Sequence, residues 1–138
     1  MADLTGPRPR PRSPSVQLGG AIWRWHITMA ASILHRVTGV GLYLGALVVM
    51  AWALSLAGGP DAYAAFTGVA GSLIGKAVLF GLTLCVFYHL GNGVRHFCWD
   101  AGYGFKPQTA NATAWLVIAF AIFASVALWG LILMTGAA

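Results

Sequence analysis

The chain has 138 residues, 59% of them hydrophobic and only 8% charged, against about 25% charged in an ordinary soluble domain. With a mean hydropathy of +0.77 it cannot cover a water-exposed surface, so the bilayer is its expected solvent, each crossing taking about 20 apolar residues. The net charge of +5 comes from a few cations at segment ends, a pattern that sets membrane orientation, and no nucleic-acid partner is expected.

Residues 1–28 form an expected cytoplasmic and interfacial arm. Pro7, Pro9, Pro11 and Pro14 forbid a regular helix. Arg8, Arg10 and Arg12 alternate with them, as suits anionic headgroups or a soluble partner. No apolar stretch with a cleavage site follows Met1, so no secretory signal is expected, and a multi-pass protein of the bacterial inner membrane is the simplest assignment. Trp23, Arg24, Trp25 and His26 suit the headgroup region.

Residues 29–136 are expected to form an all-α domain of three transmembrane helices, near 29–57, 67–99 and 111–134. Gly58-Gly59-Pro60-Asp61 ends the first, and residues 62–66 are expected along the interface. Gly102, Gly104 and Lys106-Pro107 mark the next connection. Most positive charges precede or open the first helix, and Arg95 and Lys106 flank the second connection. The N-terminus and that connection are therefore expected in the cytoplasm. Cys85 and Cys98 lie thirteen residues apart on one helix and are expected to stay unpaired. Gly41-xxx-Gly45 and Gly71-xxx-Gly75 have the spacing of close helix packing, a weak signal among 18 glycines.

His89 lies in a stretch without Asp, Glu, Lys or Arg from Ala77 to Val94. An ionisable ring at membrane depth is costly and marks a functional site. Imidazole is the commonest metal ligand and a frequent haem ligand. His96 follows seven residues later on the same face, with Gly93 between them. On the first helix Ser32, His35 and Arg36 gather within one turn, with Gly39 beyond. Both clusters fall in the cytoplasmic half. A haem there would take His89 as axial ligand and His35, Arg36, Arg95 or His96 at its propionates. A quinone would take Ser32 and Arg36 at a carbonyl. The plainer alternatives are a His89 bonded to a neighbouring helix, arginines as interface anchors and a serine bonded back to its own helix. Trp99 is expected in the interfacial belt.

Ser32-Ile33-Leu34-His35-Arg36-Val37-Thr38-Gly39 and His89-x3-Gly93-x-Arg95-His96-x2-Trp99-Asp100 together resemble the cytochrome b556 membrane-anchor subunits of succinate dehydrogenase. Residues 10–14 and Arg24-Trp25-His26-Ile27-Thr28 are similar to the N-terminal region of that family, with His26 where proline is common. The resemblance implies a three-helix anchor that packs with a second three-helix anchor, beneath an iron–sulfur subunit and a flavoprotein. It implies haem b with His89 as one axial ligand and the partner anchor supplying the other histidine. Ser32 and Arg36 correspond to the family's ubiquinone site, and His35 and Arg36 lie near the propionates. The roles of Arg95 and His96 are less defined by the motif. No catalytic residue is implied, and the chain is not an enzyme on its own. The alternatives are a fumarate reductase anchor, a haem-free structural anchor, or half of a small transporter with His89 on a proton path.

Overall fold

The computed structural model describes residues 26–136, so the basic arm and the Trp23–Trp25 cluster lie outside the described residues. The described chain is all-helical: α1 (Ile27–Ala57), α2 (Pro60–Ala70), α3 (Leu73–Asp100) and α4 (Pro107–Met134). Three of these, α1, α3 and α4, are long and apolar enough to cross a membrane.

α1 stops because Gly59 takes a φ of +93°, a left-handed conformation that costs most side chains strain, and Pro60 then opens α2 at a position needing no amide proton. The interfacial segment is longer than the sequence suggests. Thr67–Ala70 completes α2 instead of opening the second span. The chain breaks at Gly71, and Ser72 Oγ accepts from the Gly75 amide at 3.1 Å, capping α3. That cap carries no glutamate or glutamine three residues on, so the usual sequence signature of a helix start is missing. Gly102 and Gly104, at φ +88° and +85°, turn the chain from α3 into α4, where Pro107 sits in the first turn.

The long helices run up, down and up. Along α1 and α3 the contacts pair Ala31 with Tyr88, His35 with His89, Gly41 with Cys85 and Gly45 with Leu82. Rising numbers on one helix meet falling numbers on the other, so the pair is antiparallel. α3 and α4 are antiparallel too, with Arg95 beside Thr113, Phe87 beside Phe120 and Thr83 beside Trp129. Gly41 and Gly45 are therefore a true packing pair: a Cβ on Gly41 would lie 2.7 Å from Cys85 Sγ. Gly71 and Gly75 serve the turn into α3 instead. Both cysteines are unpaired.

The interior is small and polar. Ala31, Ala114 and Ala121 are buried beside Thr38, Ser55, Asn92, Arg95 and Ser125, while Val40, Leu116 and Phe123 face outward. A lipid solvent gives no reward for hiding leucines, so close approach and interhelical hydrogen bonds hold the bundle.

Candidate functional site: an imidazole cluster between two helices

α1 and α3 bring two imidazoles into contact. The His35 and His89 rings stack with centroids 3.9 Å apart and planes 17° off parallel. His89 Nδ1 lies 3.2 Å from the His35 carbonyl oxygen and 3.3 Å from Thr38 Oγ1. A carbonyl can only accept, so Nδ1 carries the proton and Nε2 is the basic nitrogen. The Thr38 hydroxyl donates its own proton to the Leu34 carbonyl at 2.8 Å, leaving a lone pair for His89. Nε2 has no hydrogen-bond partner among the described residues. A ring held through Nδ1 with Nε2 free is the arrangement of metal-ligating histidines. The nearby backbone is bare: a Cβ on Gly39 would sit 3.4 Å from His89 Cε1, and one on Gly93 would meet nothing within 4 Å.

His96 adds a third ring, 5.2 Å from His35, and meets Trp99 edge-on at 5.1 Å. The rings thus climb from His89 toward the C-terminal end of α3. His35 Nδ1 is buried with no hydrogen-bond partner, a condition buried polar atoms rarely tolerate. Among the described residues no group of three or more His, Cys, Asp or Glu is placed to hold a metal ion. The donor set fits a planar, tetrapyrrole-held iron, which brings its own equatorial ligands and asks the chain for one oriented imidazole. The orphaned His35 nitrogen fits an acceptor such as a propionate.

The remaining sequence candidates fall in two places. Ser32 is half-buried and Arg36 exposed, on the flank of α1 beside His35. Thr38, Ser55, Thr67, Thr83 and Thr113 bond back to their own helices. Ser32 makes no such bond, and its hydroxyl has no partner among the described residues. Arg95 does not anchor at the lipid interface. It is 5% exposed, and its guanidinium donates to Thr113 Oγ1 at 3.0 Å, Asn92 Oδ1 at 3.3 Å and the Ala110 carbonyl at 2.9 Å. It also lies 4.0 Å above the Trp99 ring. Trp99 itself donates to the Gly104 carbonyl at 3.3 Å and stacks on Phe105, so it organises the turn. The structure thus gathers His35, His89 and His96, sets Ser32 and Arg36 on the adjoining surface, and directs Arg95 to α4.

Sequence reasoning assigned no part to Thr38, Tyr88, Asn92 or Thr113. Tyr88 donates to the Ala31 carbonyl at 2.8 Å and fixes the level of α1 against α3. The available signals were spacing alone: Thr38 lies one turn after His35, and Asn92 one turn before Arg95.

A three-span membrane subunit with one oriented imidazole between its first two spans is the class that fold and site define. A profile described as the succinate dehydrogenase/fumarate reductase transmembrane subunit matches residues 7–128, and the chain belongs to that family. The succinate dehydrogenase cytochrome b556 subunit of Rickettsia felis is 39% identical over 120 residues, 87% of this chain and 90% of that protein. The Paracoccus denitrificans subunit of the same description is 32% identical over 126 residues, 91% of this chain and 93% of its own. The human mitochondrial cytochrome b560 subunit is 32% identical over 123 residues, covering 86% and 69%.

Proposed function

We propose that this chain is a membrane anchor of succinate:ubiquinone oxidoreductase in a bacterial inner membrane, and that His89 Nε2 ligates the iron of a b-type haem. The observation that carries the reading is the pair of acceptors on His89 Nδ1, His35 O and Thr38 Oγ1. They fix the tautomer and the ring plane, and they make Nε2 more basic. A partner anchor subunit would supply the second imidazole, as the resemblance to cytochrome b556 subunits implies. The haem, when bound, would supply a one-electron redox centre. His35, with its unpartnered Nδ1, and Arg36 receive the propionates, and His96 extends that polar path toward the headgroups.

Ser32 and Arg36 bind ubiquinone at a carbonyl oxygen. The free hydroxyl donates a hydrogen bond, and the guanidinium stabilises negative charge as that oxygen gains electrons. Reduction to the quinol takes two electrons and two protons. Succinate oxidation at the flavoprotein supplies the electrons through the iron–sulfur subunit. Both soluble subunits dock on the cytoplasmic face, with the N-terminus and the α3–α4 turn, as the distribution of arginine and lysine favours. Fumarate reduction would use the same residues in reverse. The similarity to cytochrome b556 subunits of succinate dehydrogenases favours the forward direction.

The test is the purified complex carrying His89→Ala, compared with wild type by visible spectrum and redox titration. Loss of the low-spin bis-histidine spectrum is expected, and an unchanged spectrum and potential would falsify the assignment. An intact wild-type complex without a Soret band would instead mark a haem-free structural anchor. For the quinone site, Ser32→Ala and Arg36→Ala should each depress quinone reduction while succinate oxidation by an artificial acceptor persists.

A further inference from the structure

A cavity of about 810 Å³ opens among the four helices, lined by Leu42 and Val49 of α1, Leu79 and Val86 of α3, and Leu128 and Ile132 of α4. It lies at the other end of the bundle from His35 and His96. On α3 its lining runs from Lys76 to Phe87, eleven residues or about 16 Å at ~1.5 Å per residue. That is about half of the ~30 Å hydrocarbon core, the depth of one leaflet. Thr67 of α2 and Lys76 stand in the lining near its outer end.

The polar groups in this groove are already satisfied, with one exception. Thr67 Oγ1 donates to the Tyr63 carbonyl at 2.9 Å. Trp129 Nε1 donates to Thr83 Oγ1 at 3.2 Å, and that hydroxyl donates to the Leu79 carbonyl at 2.8 Å. Lys76 is half-buried and pairs with neither described acid, Asp61 or Asp100. A lone cation at the mouth of a leaflet-deep apolar groove is complementary to an amphiphile with an anionic head and a hydrocarbon tail.

We infer that this groove binds an anionic glycerophospholipid, one acyl chain between α1, α3 and α4 and the phosphate against Lys76. The inference does not rest on the haem and quinone assignments: the groove's inner end at Val86 and Phe87 stops within one turn of His89, and its proposed headgroup contact, Lys76, lies at the far end. The lipid fills volume that the chain's own side chains leave empty, where missing contacts cost dispersion energy. It also neutralises the charge at the point where α2 turns into α3.

The experiment uses the whole complex, purified in mild detergent, delipidated, and re-exposed to phosphatidylglycerol or phosphatidylcholine before native mass spectrometry. Wild type and Lys76→Arg should each retain one more phosphatidylglycerol than Lys76→Gln. Ala46→Phe, which sets a ring into the groove, should also lose that lipid. Phosphatidylcholine should not replace it at equal concentration. The haem spectrum and quinone reduction serve as folding controls and should be unchanged in all three variants. Equal phosphatidylglycerol retention by wild type and Lys76→Gln overturns the inference. So does equal retention of the two lipids, or loss of a bound quinone in place of a phospholipid.

Discussion

Replacing Arg95 with methionine keeps the length of the side chain and removes everything its guanidinium does. Three hydrogen bonds to Asn92, Thr113 and Ala110 disappear, along with the contact to Trp99 at 4.0 Å. Two of these bonds, to Thr113 and Ala110, cross to α4, and interhelical hydrogen bonds in membrane proteins average about 0.6 kcal/mol, so together they contribute about 1.2 kcal/mol. The bond to Asn92 and the contact with Trp99 lie within α3 and do not enter its docking against α4. The expected loss in the equilibrium between packed and separated α3–α4 is therefore about 1 kcal/mol, or some 5- to 10-fold. Thermal unfolding of the purified complex, followed by circular dichroism, reads this loss directly. Lysine should recover only part of it, since an ammonium cannot reach three acceptors in one plane. The double variant with Thr113→Val should lose less than the sum of the single losses, because the two side chains share a bond. The decisive comparison is between haem-loaded and haem-depleted complex. A clasp between α3 and α4 costs the same in both. A destabilisation that vanishes without haem would refute this reasoning and return Arg95 to the propionates.

Thr38→Val removes one of the two acceptors from His89 Nδ1 and leaves the His35 carbonyl. Haem affinity should fall toward the lower end of the roughly 10- to 100-fold range for such supporting bonds, and the haem reduction potential should rise, as titration would register. Tyr88→Phe deletes the bond to the Ala31 carbonyl, and about 0.6–1.7 kcal/mol of stability should go with it in the same unfolding assay. Gly41→Ala sets a methyl group 2.7 Å from Cys85 Sγ. It should cost about 1–3 kcal/mol as overpacking, and Cys85→Ala should restore most of that loss. No rescue would place the strain elsewhere.

The three spans were legible because a bilayer makes hydropathy the dominant signal. The boundary at Leu73 was not, since Thr67–Ala70 is as compatible with a span as with an interfacial helix, and the Ser72 cap has no partner residue in the sequence. Spacing along α1 and α3 correctly placed His35 and His89 at one level. It gave axial position without direction around the helix, so it did not show that Arg95 bonds to Thr113 and Ala110 of α4. α4 carries no charge, so hydropathy offered no hint that Thr113 would meet a guanidinium. The empty hydroxyl of Ser32 is equally invisible in sequence, where serines that bond back to their helix look the same.

The acceptors that aim His89 belong to α1, while the ring belongs to α3. In the haem reading proposed above, the ligand would thus be a joint product of two segments that enter the membrane at different times. A nascent chain with only its first span inserted lacks His89, and one with α3 inserted but undocked has an imidazole free to rotate and change tautomer. Docking is a checkpoint: the nitrogen acquires its direction only once the antiparallel pair has closed, so the proposed cofactor capture would follow helix assembly, ordered by hydrogen bonding alone.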